Sequence, residues 1–253
     1  MHDQTNQEFL QSASWYDATI NWNARLAREI PYLREVFGEP GANILDAACG
    51  PGRHLAAMAE AGYCMTGLDR SIEMLSLARR RAATTNIDAH FIESAFEDIP
   101  TDAGPFDGIY CLGNSLASTA DADVARRSIA ALARALRPGG ALVCQVLNFD
   151  MMRNETHKVR GPRVHREGET EYVSSRVYAF HDDMVEVTNI TLWNDNGWQQ
   201  HVHGGTLYAV SPDQLDSWLT EAGMTVTRQM GAYDGATFDP AASNDLIVTS
   251  IRS

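Results

Sequence analysis

Residues 44–52, Ile-Leu-Asp-Ala-Ala-Cys-Gly-Pro-Gly, together with Asp69, are the part of the chain best suited to chemistry. An apolar run breaks into a turn at Gly50 and Gly52, and a helix begins near Arg53. Glycine lets a ligand approach the backbone closely, and the first turn of a helix leaves N–H groups unpaired. Asp69 closes the next apolar run, 19 positions after Gly50. An acidic residue there can take both hydroxyls of a ribose, as in nucleotide-binding βαβ units. The third glycine of a dinucleotide fingerprint is missing, because Leu55 holds its place. A pyrophosphate would lose its close helix–strand approach, whereas a nucleoside without phosphates does not need one. This argues against a nicotinamide dinucleotide.

With Asp46 and Ala48 upstream, the stretch resembles the first motif of the class I S-adenosylmethionine-dependent methyltransferases, acidic-x-Gly-x-Gly-x-Gly, with Ala48 in place of the first glycine. Cys111-Leu112-Gly113-Asn114-Ser115 resembles the fourth-strand segment of glycine N-methyltransferase and its small-molecule relatives. Glu93–Phe96, Leu136–Gly140 and Asn148-Phe149-Asp150 agree with it, and the resemblance covers residues 40–150 and the last fifty. It implies S-adenosylmethionine as cofactor and S-adenosylhomocysteine as product. The turn residues Ala48, Cys49, Gly50 and Gly52 would meet the cofactor, as would Asp69, Arg70, Met74 and Leu112. Ala95 would reach an adenine nitrogen through its N–H. Phe96 would stack on the ring or belong to the core. Ser94 stands where many relatives carry an Asp for the adenine amino group. Arg25 matches an N-terminal arginine that pairs with the methionine carboxylate, with Tyr16 and Trp22 lining the cofactor.

The resemblance also implies methyl transfer to an amine of a small molecule, with Asn114 as the catalytic residue that orients the amine. Tyr16, Leu116, Asn148, His201 and His203 are further candidates for the substrate side. One departure matters: Leu147 stands where the glycine enzymes carry an arginine for the glycine carboxylate. Without that guanidinium fork a free amino acid loses its strongest orienting contact. Glycine is disfavoured unless Arg153, Arg163 or Arg176 substitutes, and a larger, less anionic amine fits better. A free alkylamine with pKa ~10 costs roughly 4 kcal/mol to deprotonate at neutral pH. Holding amine and methyl near 3 Å can supply about 7–11 kcal/mol, so positioning outweighs a dedicated base. A hydroxyl acceptor would need a histidine base, from His181, His201 or His203. An O-methyltransferase and a non-catalytic S-adenosylmethionine-binding module are the alternatives. His201 and His203 flank Val202 on one strand face, and no third ligand lies near them, so no metal is expected.

Composition sets the remaining bounds. A chain of 253 residues fits one large α/β domain. The net charge of −13 disfavours nucleic acid and anionic membranes, which select cationic surfaces. Arg79-Arg80-Arg81 is the one basic cluster, at a helix end where it suits the dipole. No run of eighteen apolar residues and no signal-like N-terminus is present, so a cytoplasmic protein is expected. Cys49, Cys64, Cys111 and Cys144 lack C-x-x-C spacing and read as buried reduced thiols.

The elements that must position these residues alternate. A helical segment spans 9–37, interrupted near Tyr16–Asp17 and at Pro31. Strands are expected at 43–46, 63–68, 89–92, 106–112 and 141–147, with helices at 53–61, 71–83 and 121–136. This rhythm specifies an α/β fold, a doubly wound Rossmann-like seven-stranded sheet. Residues 171–181, 184–193 and 198–209 read as an antiparallel meander, a cap inserted after strand five. Trp193 and Trp198 flank its turn and suit packing or subunit contact, which leaves a homo-oligomer open. A helix from Ser211-Pro212 to Gly223 and two strands complete the sheet. The expected parts are 1–40 covering the cofactor, 41–150 binding it, 151–210 capping the substrate and 211–253 completing the core.

Overall fold

The computed structural model describes residues 16–153 and 157–253. Helix α1 (Trp22–Phe37) leads to β1 (Asn43–Ala47), α2 (Arg53–Glu60), β2 (Cys64–Asp69), α3 (Ile72–Thr84), β3 (Ala89–Glu93) and β4 (Phe106–Cys111). A 3-10 turn at Ser115–Ser118, α4 (Ala122–Ala135), β5 (Leu136–Leu147) and the single turn α5 (Phe149–Met152) follow. Next come β6 (His157–Glu167), β7 (Thr170–His181), β8 (Met184–Asn194) and β9 (Trp198–Tyr208), then α6 (Pro212–Glu221), β10 (Met224–Met230) and β11 (Asp245–Arg252).

Seven strands form one sheet in the order β10-β11-β5-β4-β1-β2-β3. Strands β3 to β5 run parallel through β2, β1 and β4, and β11 enters antiparallel against β5. β4 and the second half of β5 are buried almost without alternation, as strands covered by helices on both faces must be. Helix starts follow the side-chain chemistry. The Ser71 hydroxyl accepts the Met74 N–H, Asp121 accepts from Val124, and Ser211 and Gln214 close a reciprocal capping box on α6.

Three expectations need correction. Pro31 does not interrupt α1: the helix runs through it, and Tyr32 and Leu33 directly after it are buried in the core. The expected stretch 9–15 lies outside the described residues. β5 begins at Leu136 rather than Ala141, since Leu136 already pairs with Phe106 before a register shift. Cys64 is exposed, whereas Cys49, Cys111 and Cys144 are buried.

The cap is a separate antiparallel sheet in the order β6-β7-β8-β9, with turns where expected at Asp182 and Asn196, both in left-handed backbone. Its first strand escaped the sequence reading because 157–167 is mostly polar or charged and broken by Gly161-Pro162. One face of this sheet packs Tyr178, Val185 and Val187 on Ala117, Phe149 and Met152. Among the described residues, no helix is long and apolar enough to cross a membrane.

Candidate active site

The turn after β1 is built from left-handed backbone at Ala48 (φ 67°), Gly50 (φ 52°) and Gly52 (φ 75°). The Ala48 and Cys49 amides both donate to the Leu68 carbonyl, at 2.8 and 2.9 Å, which ties the turn to the end of β2. Gly52 is needed twice over: its φ disfavours a side chain, and a Cβ there would stand 2.9 Å from the Ala78 Cβ on α3. Leu55, in the place of the third glycine, is accommodated from across the sheet. A Cβ on Gly67 would meet the Leu55 Cδ1 at 2.8 Å, so the strand supplies the bare backbone that the helix lacks.

Asp69 braces this turn. Its Oδ2 accepts the Gly50 N–H at 2.8 Å and its Oδ1 the Ser71 N–H at 2.9 Å. Burial nonetheless pushes its pKa upward. Each oxygen keeps a lone pair for a further donor.

Beside the turn a cavity is walled by Tyr16, Trp22 and Arg25 from the N-terminal side, by Asp46, the turn residues 48–51 and His54, and by Leu112, Gly113 and Ser115 after β4. Arg25 pairs its Nε with both Glu29 oxygens at 3.1 Å, and Glu29 Oε2 lies 2.7 Å from His54 Nε2. The guanidinium lies 5.3 Å from the centre of the Trp22 ring. It also presses on Gly113, where a Cβ would be 2.9 Å from Nη2. Burial opposes ionisation of Glu29, but hydrogen bonds from His54 and Arg25 hold its pKa below the usual carboxylate range. Burial drives the His54 pKa below its ordinary value, against the pull of Glu29. Asp46, register partner of Tyr110, is buried with Oδ2 unpartnered; burial pushes its pKa up to about 7.

Of the other expected residues, Asn114 stands in left-handed backbone between the lining residues Gly113 and Ser115 without itself lining the cavity, its Oδ1 accepting the Leu147 N–H at 2.9 Å. Phe96 is buried in the larger core cluster, the second of the two readings open for it, and Leu116 is fully buried in the same cluster. Asn148 spends both amide donors on Pro240 and Ser243 carbonyls and accepts the Met151 N–H, so it fixes the loop before β11. Arg70 reaches the Ser118 carbonyl at 3.4 Å, Met74 donates its N–H to the Ser71 cap, and Ala95 is half-buried beside Ser94. His201 and His203 do share a face, with ring centres 5.2 Å apart. His181 lies at an exposed turn, 3.6 Å from Glu186. Burial pushes the Cys49 thiol up, away from nucleophilic use.

The sequence reading missed Glu29 and His54, whose only signal was a carboxylate four residues after Arg25. It also missed Asp17, whose carboxylate joins Arg53 at 2.9 Å and Arg81 at 2.8 Å. Arg81 thus serves an ion-pair network that pins the N-terminal segment over the turn, beyond any service to the helix dipole.

Residues 44–140 match the methyltransferase domain family. Over 201 residues the chain is 28% identical to a glycine/sarcosine N-methyltransferase of Aphanothece halophytica, covering 74% of this chain and 75% of that one. The chain thus carries a methyltransferase domain and is similar to the class I S-adenosylmethionine-dependent methyltransferases. It is also 37% identical over 139 residues to a malonyl-[acyl-carrier protein] O-methyltransferase of Salmonella typhimurium, spanning 55% of this chain and about half (51%) of that protein. The fold matches the S-adenosylmethionine-bound CalS10, an amino pentose methyltransferase from Micromonospora echinaspora, with TM-score 0.75 at 20% identity, over 96% of both chains.

The methyltransferase's own residues fit the cofactor. The buried unpartnered Asp46 Oδ2 suits a cationic group, Arg25 suits a carboxylate, and the bare backbone of Gly50, with open space where a Cβ would stand, lets a ligand approach the turn. Aromatic faces at Tyr16 and Trp22 complete the wall and favour positive charge.

Proposed function

We propose that this methyltransferase moves a methyl group to an amine of a small molecule by in-line displacement. S-adenosylmethionine is the cofactor, and when bound it supplies an electrophilic methyl on a positively charged sulfur, leaving S-adenosylhomocysteine. The observation that supports an amine over a hydroxyl is the state of the cavity's one imidazole. Among the described residues lining it, His54 is the only histidine, and it is buried and locked to Glu29. A hydroxyl acceptor needs a base within hydrogen-bond reach. An amine needs only to be held unprotonated in an apolar, cation-adjacent pocket, for which Trp22, Leu112 and the Gly113 backbone are suited. Similarity to a glycine/sarcosine N-methyltransferase over most of the chain points the same way.

The O-methyltransferase reading rests on the relative from Salmonella and would recruit a cap histidine. Incubation with methyl-labelled cofactor and matched panels of small amines and phenols separates the two. Label in amines alone supports the proposal. Label in phenols, lost in His203→Ala, overturns it. Tight cofactor binding with no labelled product from either panel favours a binding module.

A further inference from the structure

Register in the cap sheet assembles a group of cations that the cofactor cavity does not use. Across the strands, Arg160, Arg176, Asn189 and His203 form one row, and Arg163, Ser174, Thr191 and His201 the next. Register partners share a face, and each strand alternates faces with a period of two. Both rows therefore lie on the face of Tyr178 and Val187, the face turned to the core. One end of that face packs against Ala117. At the other end His165 Nε2 meets the Ala18 carbonyl oxygen at 2.8 Å. Ala117 is two residues from Ser115 and Ala18 two from Tyr16, and both Ser115 and Tyr16 line the cavity. The cationic rows lie between these two anchors, each of which is two residues in sequence from a residue that lines the cavity.

Arg163 shares this face only because β6 bulges. From Arg160 to Arg163 the strand advances three residues while β7 advances two, from Arg176 to Ser174. Gly161 makes this feasible at φ 113°, and a Cβ there would stand 2.8 Å from the Ser174 carbonyl oxygen. In an unbroken ladder the guanidinium of Arg163 would belong to the opposite face.

The arrangement is repulsive by itself. Arg160 and Arg176 are direct cross-strand partners, and like charges opposite each other destabilise a sheet. Asn244 Oδ1 engages Arg160 at 3.0 Å, but Arg163 and Arg176 have no hydrogen bond or ion pair among the described residues. Between the Tyr172 row and the Tyr178 row this face carries no Asp or Glu, in a chain of net charge −13. A bound anion resolves the repulsion.

We propose that Arg163 and Arg176, flanked by Arg160 and His203, bind an acidic oxygen group, phosphate or carboxylate, carried by the methyl acceptor. The proposal rests on the reading of the chain as a small-molecule amine methyltransferase. It takes up the exception left open beside Leu147, that Arg163 or Arg176 substitutes for the missing arginine, and puts the anion's partner on the cap rather than on β5.

The test titrates S-adenosylhomocysteine-loaded protein with pyrophosphate and, separately, with succinate, by calorimetry. Wild type, the double variant Arg163→Gln/Arg176→Gln and the control Arg80→Gln are compared. Wild type and control should bind at least one anion, and the double variant should bind it about tenfold or more weakly, with unchanged S-adenosylhomocysteine affinity. Tighter pyrophosphate identifies a phosphate-bearing acceptor and tighter succinate a carboxylate, and either supports the site. Equal anion affinity in wild type and double variant, or no anion binding at all, overturns it. Failure of wild type to take up S-adenosylhomocysteine is a separate result, and it overturns the methyltransferase reading itself.

Discussion

Gly50 donates its backbone N–H to Asp69 Oδ2 at 2.8 Å, so the residue expected to meet a ribose also closes the turn over which the ribose would lie. Sequence spacing leaves helix capping and ligand binding as readings of Asp69, and its bonds from the Gly50 and Ser71 amides are compatible with both. Asp69→Ala should weaken S-adenosylhomocysteine binding by about 1–3 kcal/mol, through lost charge-assisted hydrogen bonds and a loosened turn. Calorimetry that finds unchanged affinity removes Asp69 from the site.

Gly52→Ala tests the turn from its other end. The new methyl would sit 2.9 Å from the Ala78 Cβ in a left-handed residue. Strained backbone and overpacking each cost about 1–3 kcal/mol, so the urea midpoint should fall clearly. An unchanged midpoint would mean that α2 and α3 are not clamped at this point.

Asp46 makes cofactor affinity depend on pH. Burial holds its pKa at about 7, above the ordinary 3.8, so the folded chain keeps a proton that the unfolded chain releases. The stability of the unliganded protein therefore falls as pH rises from about 4 to 7, by on the order of 4 kcal/mol at most. A cationic ligand favours the carboxylate, so affinity for S-adenosylmethionine should climb with pH up to about 7 and then level off. Asp46→Asn should flatten that profile and stabilise the unliganded protein above pH 7. Parallel pH profiles for wild type and variant would rule out the pairing.

The fold was legible because its signals are local. Ser71 and Asp121 cap the helices they precede, the second half of β5 is almost wholly apolar, and Gly50 and Gly52 mark the turn. The cavity's polar interior was not, because Glu29, His54 and Asp17 meet their partners only after α1 folds back on the sheet. β6 was hidden for a related reason. Its charged residues fit no apolar alternation, and they make sense only against the face of the cap that they share.

Glu29 joins Arg25 to His54 inside that interior. Glu29→Gln removes the one carboxylate between two buried bases, and breaking such a pair typically costs about 3–5 kcal/mol. Its depressed pKa adds stability above the ordinary carboxylate range, lost as pH falls through the folded value. The variant should unfold at lower urea and lose the acid limb of the wild-type stability profile. Retention of that limb would assign it to another carboxylate.

Asn114 ties two strand ends: its N–H donates to Gln145 Oε1 at 3.0 Å, and its Oδ1 accepts the Leu147 N–H at 2.9 Å. One oxygen lone pair and the amide hydrogens remain for an acceptor amine. Asn114→Ala orphans the Leu147 amide as well as the substrate contact, whereas Asn114→Asp keeps an oxygen for Leu147. If Asn114 only fixes the strand ends, the aspartate variant should recover full turnover. If it orients the amine, the alanine variant should lower turnover by about 10²-fold with little change in S-adenosylhomocysteine affinity, as a misplaced reactant does. The aspartate variant should then recover stability without recovering rate, because an added charge would hold the amine protonated. A loss of cofactor affinity larger than the loss of turnover would place Asn114 on the cofactor side instead.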